Sequence, residues 1–403
     1  MGGKASLIVV LGLSMVFGTI ALNLNERGLE SDANFVDHYC EHRAHDIAVS
    51  GANMAASRIY FDPLWTDGFS NVDLFGGELD VTVTDLPQKR KSLEAVGTFF
   101  NHSSTVRVIL QPSSFAKFAF YVNLLPGNLY FVTKDTLWGP FHTQQKINVA
   151  GSPVFYGKVT NKLGIKKNPA SSTPKFYGGY QSGVDIPLPA DVNPFRDAAM
   201  TGGKYWANTD VSLEFHNNGN VTYTVKGKSP VTMALTDLAP NGTILVEKGD
   251  LRVKGTVKGK VTIGAIGSSG LGHGNVYLDD DIVYSKNPLH EPSTDMLGII
   301  AENNFIITDN VPNKSDINIH ASLFSLKGGL GAENYQHIGP CGSINLVGGL
   351  IEHQDQATGV FNSSTGKVTS GYQSRWRYDE RLMVGSPPYF PTTGLYEILS
   401  WLE

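Results

Sequence analysis

The first 60 residues constrain this chain more than anything that follows them. Residues 5–24 (ASLIVVLGLSMVFGTIALNL) carry no charge, and about 20 apolar residues in a row span a bilayer core. No proline interrupts the chain until Pro63, and from Leu29 an apolar stripe continues at spacings of three and four. It runs through Leu29, Ala33, Val36, Cys40, Ala44, Ile47, Gly51, Ala55 and Ile59. That is helical periodicity, with charged and polar residues on the other faces. At 1.5 Å per residue such a helix is a rod of roughly 85 Å. A membrane segment continuing into an amphipathic stalk of small residues predicts a packing surface, with Ala33, Ala44, Gly51, Ala52 and Ala55 as its contact positions. Lys4 precedes the segment and Glu26, Arg27, Glu30 and Asp32 follow it. The positive-inside rule then predicts a single-pass protein of the cytoplasmic membrane, N-terminus inside and bulk outside.

The rest of the chain reads differently. It has 403 residues, 17% of them charged, with 44 glycines, below the charge of an ordinary soluble protein and rich in turn formers. The expected fold class is mainly β with one long N-terminal helix. A net charge of −5 without a basic run argues against a nucleic-acid partner. Cys40 and Cys341 are too few and too far apart for a disulfide framework.

Residues 1–60 form the stalk, and 61–112 a small antiparallel meander, because ELDVTVT (78–84), SLEAVGTFF (92–100) and TVRVILQ (105–111) are strand-like runs joined by short polar loops. Residues 61–77 read as loop. From 113 to 370, short apolar runs such as TILVE (243–247), KVTIGAIG (260–267), INIHASLFSLKG (317–328) and SINLVGGLIEH (343–353) recur without helical patterns between them. That spacing predicts a right-handed parallel β-helix, with a β-sandwich as the structural alternative. Its core should hold Ile244, Val261, Ile263, Ile299, Ile306, Ile319 and Leu346. A Pro-rich interval at about 161–240 reads as an excursion, and the aromatic, Pro-rich residues 371–403 as a tail capping the last coil, with Trp376 and Trp401 buried.

The helix, with NLNERGLESDANFVDHYCEHRAHDIAVSGANMAASRIY after the apolar segment, resembles the N-termini of minor pilins and pseudopilins of type IV pilus and type II secretion systems. From LYFVTKDTLWGPFH to SGYQSRWRYDERL, PPYFP and SWLE, the chain resembles an uncharacterised bacterial family that joins such an N-terminus to a β-helix. The resemblance implies a long helix packed on a small antiparallel sheet and prepilin cleavage after Gly2 or Gly3. It departs in one respect: the fifth mature residue, usually Glu, would be Leu7 or Ile8. That points away from a shaft subunit and toward a tip subunit or a stand-alone anchor. The expected partners are the membrane and, through the helix, other pilin-like subunits or copies of the chain, with surface polysaccharide as a further candidate.

Sites with chemistry are few. Asp279, Asp280 and Asp281, followed by His290, Glu291 and Asp295, are the densest acidic run, but consecutive strand residues alternate faces and a turn explains them. His38, His42 and His45 have helical spacing that suits a metal, and they equally suit a solvated face. His142 and His320 read as structural. No nucleophile elbow, P-loop or dinucleotide motif is present. The expectation is a non-enzymatic structural or adhesive envelope protein without cofactor or metal. The alternatives are a tethered carbohydrate-active or polysaccharide-binding β-helix, and a bactofilin-like polymerising scaffold.

Overall fold

The computed structural model describes residues 2–125, 130–133, 135–267, 272–362 and 367–403. The protein is mainly β, with 46% of its residues in strands and one long N-terminal helix. It divides into two compact units, one of Met1–Pro112 with Leu395–Glu403, the other Ser113–Gly394.

In the first unit, α1 (Gly2–Phe61) is unbroken. In its apolar half the hydroxyls of Ser14 and Thr19 donate back to the carbonyls of Val10 and Val16, at 2.8 and 2.9 Å, so they need no outside partner. The helix ends where Pro63 disfavours helical geometry at Asp62, whose N–H makes the last bond to Arg58 (2.8 Å). From Leu7 to Tyr39 the helix is exposed throughout. From Cys40 onward one stripe is buried: Cys40, Ala44, Ile47, Ala48, Ala52, Ala55 and Ile59. It lies on a five-stranded sheet ordered Phe69–Leu74, Gly77–Leu86, Arg90–Phe99, His102–Ser114, Thr392–Leu402. Alternate residues of the sheet face it, among them Leu79, Val81, Leu93, Ala95, Val106 and Val108.

Three differences from the sequence reading have physical causes. The interval 61–77 contains a strand, Phe69–Leu74, whose register slips between Phe69 and Val72 with Asn71 at φ 50°, so its alternation is broken. The fifth strand comes from the C-terminus. And Ala44, Gly51, Ala52 and Ala55 face the chain's own sheet rather than a partner helix, while Ala33 is exposed. Gly51 shows why the stripe is small: a Cβ there would meet the Leu79 side chain at 2.2 Å.

The second unit is built on parallel pairing. One sheet runs Lys204–Ala207, Thr243–Glu247, Lys260–Ile266, Met296–Ala301, Ile317–Ser325, Pro340–Gln354, Phe120–Leu124, Phe141–Thr143, Val159–Asn161, Tyr180–Ser182, each strand parallel to the next. Spatial order departs from chain order: Phe120–Leu124 docks on the late strand Pro340–Gln354, with Phe120 opposite Leu350. Both faces are buried, as parallel sheets require. Ile244 and Val246 join one apolar cluster, and Leu245 between them joins a second. Of the expected core, Ile244, Val261, Ile263, Ile299, Ile319 and Leu346 are buried. Ile306 is half-buried instead, because in Phe305–Ile307 the inward positions are Phe305 and Ile307.

The interval 161–240 is not an excursion throughout. Its first part continues the sheets as Ile165–Lys167, Lys175–Phe176 and Tyr180–Ser182. Then Ile186, Val192 and Phe195 at the start of α2 (Asn193–Gly202) return along the outer face of the long sheet, beside Leu245, Ile300 and Phe324. A hairpin follows, Val211–Phe215 pairing antiparallel with Asn220–Val225. The tail is likewise not an end cap. Val368–Arg377 is a strand parallel to Pro340–Gln354, and Tyr378, Leu382 and Phe390 cover that same outer face. Trp376 and Trp401 are only half-buried.

Candidate functional site

Within the second unit the strand stack is interrupted. Thr136–Leu137, Val154–Phe155 and Lys175–Phe176 form a three-stranded parallel sheet. Val368–Arg377 pairs with Pro340–Gln354 and, over its first residues, with Gly359–Phe361. No pairing joins these two groups among the described residues, and a cavity of about 1610 Å³ lies between them. Phe120, Phe131, Phe155 and Leu346 reach it from the core, Trp138 and Tyr156 line one lip, and Arg375, Trp376 and Arg377 line the other.

The first lip is built by a repeat that the sequence reading passed over. Leu137-Trp138-Gly139-Pro140-Phe141-His142-Thr143, Phe155-Tyr156-Gly157-Lys158-Val159-Thr160-Asn161 and Phe176-Tyr177-Gly178-Gly179-Tyr180-Gln181-Ser182 share one pattern: apolar, aromatic, Gly, then a strand. The in-register pairing of Leu137 with Phe155 and of Phe155 with Phe176 stacks the units. A Cβ on Gly157 would lie 2.1 Å from the Gly139 carbonyl, and one on Gly178 would lie 2.3 Å from the carbonyl carbon of Gly157. Only glycine allows that approach. It lets the rings stack outside: Trp138 on Tyr156 at 4.0 Å and 11°, and Tyr156 on Tyr177 at 5.3 Å and 21°. Their exposures are 54%, 42% and 65%, high for side chains that bury large areas elsewhere.

The other lip is polar. Arg375 and Arg377 are exposed and have no ion-pair partner among the described residues. Trp376 packs on Phe120 at 5.0 Å, and its indole N–H is shut off from solvent with no acceptor among the described residues. Asn345 donates to Asn318 (3.1 Å), and Asn318 in turn donates to Asp281 (2.8 Å), a chain that fixes both amides at the cavity wall. His320 also lines the cavity. Its Nδ1 accepts the Tyr284 N–H at 3.1 Å, and burial lowers its pKa, so it is a neutral acceptor.

The acidic run serves the fold. Asp279 and Asp281 sit where the register slips between neighbouring strands. Asp279 holds Arg252 (Nε at 2.7 Å) and accepts from Thr308 (2.7 Å). Asp295 accepts from the Gly259 N–H and the Ser285 hydroxyl, while His290 and Glu291 are exposed. His38 and His42 meet at 3.1 Å between Nε2 atoms, but His45 turns to Glu403 at 3.7 Å, so the three do not converge. His142 is fully buried, stacked on Tyr121 and bonded to Thr160 at 2.8 Å, and burial lowers its pKa to about 4. Gly2 and Gly3 open α1, and Met1 lies outside the described residues.

The structure also brings together groups that sequence spacing hides. Asp210, Asp250 and His273 lie within 4.8 Å of one another, yet they are engaged locally, with Lys226 on Asp210 at 2.8 Å and Asn275 on Asp250 at 2.9 Å. Glu352 is fully buried, one oxygen accepting the Leu330 N–H at 3.2 Å. Burial, and the nearby Asp355 after it, raise its pKa well above the usual range.

No family model matches the chain, and no curated protein does. Among solved structures it is similar to the crystal structure of the competence-associated pilin ComZ from Thermus thermophilus, at 12% identity and a TM-score of 0.31, over 90% of this chain and 97% of that one. A likeness of that size does not show a shared fold. Among the described residues one helix is long and apolar enough to cross a membrane, and a helix of this kind lying on an antiparallel sheet fits a pilin-like N-terminus.

Proposed function

We propose that this protein is a pilin-like envelope subunit, anchored in the cytoplasmic membrane with Met1 inside, that displays a right-handed β-helix outside as a non-enzymatic structural or adhesive element. The observation that carries this reading is the division of α1. Its second half is used by the chain's own sheet, whereas residues 7–39 are exposed throughout, and it is near their end that Asp37 (3.4 Å from His102) and Tyr39 (against Phe99) first reach that sheet. The side chains of Leu7, Ile8, Val9, Val10, Leu11, Phe17 and Leu22 are more than half exposed. Each costs on the order of 1.5–3 kcal/mol to leave in water, so lipid or neighbouring helices must cover them. Partners, pilin-like subunits or copies of the chain, then meet this exposed half. The β-helix assignment is supported by the in-register parallel pairing of successive strands, Thr243 with Thr262, Thr262 with Gly298, Gly298 with Ser322. A non-enzymatic role is supported by the engagement of Asp279, Asp281 and Asp295 in structural hydrogen bonds.

The test is membrane fractionation with mass spectrometry of the native N-terminus, and protease shaving of spheroplasts. The expected result is carbonate-resistant membrane protein that has lost Met1–Gly2 or Met1–Gly3 and whose second unit is cleaved from outside. Release of the chain by carbonate, or protection of the second unit, overturns the proposal.

A further inference from the structure

We propose that the cleft between Thr136–Leu137 and Val368–Arg377 is a binding site for an acidic polysaccharide, with Trp138 as its stacking platform and Arg375 and Arg377 as its carboxylate clamp. This names a ligand for the adhesive reading above and rests on it for its biological setting, but not for its chemistry.

One face of the Trp138 ring is covered by Tyr156 at 4.0 Å. Trp138 follows the strand at the cleft edge, with Val154–Phe155 on one side and the open cavity on the other. Its uncovered face is therefore on the cleft side. A pyranose ring presents a patch of C–H groups that suits an indole face, and such contact removes apolar surface from water at both partners. Size sets the ligand class: about 1610 Å³ exceeds the roughly 300–1,000 Å³ of small-molecule pockets, and the site is an open cleft, which suits a stretch of polymer.

Charge sets the kind of polymer. Lys158, Arg375 and Arg377 line the cleft against Asp135 and Glu380, an excess of cations in a chain whose net charge is −5. Arg375 and Arg377 stand two residues apart on one strand, both exposed. A guanidinium binds a carboxylate through two parallel N–H bonds, so the pair matches carboxylates spaced along a uronic-acid chain. Asn345 is held by donating to Asn318, which leaves its carbonyl oxygen for a sugar hydroxyl. Three cations offset by two carboxylates are too sparse for nucleic acid, whose affinity comes from many phosphate contacts.

The experiment is isothermal titration of the full-length protein in detergent micelles with polygalacturonate, dextran and single-stranded DNA. The expected result is binding of polygalacturonate, at least tenfold weaker for dextran and DNA. Trp138→Ala and the double variant Arg375→Gln/Arg377→Gln should each weaken it tenfold or more, while Arg107→Gln in the first unit leaves it unchanged. Should Trp138→Ala fail to fold by near-UV circular dichroism, the exposed arginine pair carries the test alone. Absence of polygalacturonate binding, equal binding of dextran or DNA, or wild-type affinity in folded variants overturns the proposal. Membrane anchoring is not read by this titration, so its failure and that of the display reading are separable.

Discussion

Gly97 lies so close to α1 that a Cβ on it would stand 2.2 Å from the carbonyl oxygen of Ala44 and 2.5 Å from the Ala48 nitrogen. Both distances are to helix backbone, so no side-chain rearrangement can relieve them. Overpacking a tight contact costs about 1–3 kcal/mol, and more when backbone must move. Gly97→Val is expected to destabilise the first unit by at least that much, read as an earlier denaturant midpoint for that unit. Gly12, with nothing within 4 Å, is the control: Gly12→Ala should leave the midpoint unchanged.

The inward positions of the second unit can be told apart by two isoleucines, Ile299 and Ile306. Ile299 is fully buried, whereas Ile306 is half-buried between the inward Phe305 and Ile307. Ile299→Ala is expected to cost about 2–5 kcal/mol, and Ile306→Ala less than half as much, by urea denaturation. Equal costs would contradict the register.

The outer face of the long sheet depends on the tail. Phe390 packs on Phe324 with ring centroids 6.0 Å apart, and a Cβ on Gly298 would strike its ring at 2.6 Å. Phe390→Ala should cost about 3–5 kcal/mol and increase dye binding to exposed apolar surface. Trp401→Ala, at a half-buried position of the other unit, should do neither in the second unit.

His142 gives stability an acid limb. Its folded pKa, about 4, lies below the model-peptide value of 6.5 because burial disfavours the charged ring. The unfolded chain therefore binds more protons between these values, and stability falls as pH drops from 6.5 toward 4. The loss is on the order of 3 kcal/mol, from 1.36 kcal/mol per pH unit. His142→Phe, which keeps a ring against Tyr121, should flatten this limb in thermal melts taken across that range.

Glu352 acts at the other end. A carboxyl whose folded pKa is raised stabilises below its unfolded pKa and loses that contribution as pH rises toward the folded value. Glu352→Gln keeps an acceptor for the Leu330 N–H and cannot ionise. Its melting temperature should exceed that of the wild type at pH 8 and equal it at pH 4. A lower value at pH 8 would show that the charge is stabilised in place.

Local rules account for much of this molecule. Residues 5–24 make a helix long and apolar enough to cross a membrane, and the absence of proline before Pro63 carries the helix onward. Strand-like runs marked the strands around Leu79, Leu93 and Val106, the first by plain alternation, because a period of two has one inward face. What the sequence could not determine depended on distant partners. That Ala44 and Gly51 meet a sheet rather than a second helix followed from close approach to Gly97 and Leu79, residues with no periodic relation to them. That Phe120 pairs beside Leu350, and that Thr392–Leu402 docks on His102–Ser114, are contacts across some 230 and 280 residues. Parallel strands of alike composition compete for such places, and burial of the whole stack selects among them. The cleft belongs to the same class. Its glycine–aromatic repeat was present in the chain from Leu137 to Ser182, but only the tertiary structure set Trp138 across from Arg375 and left the wall between them open.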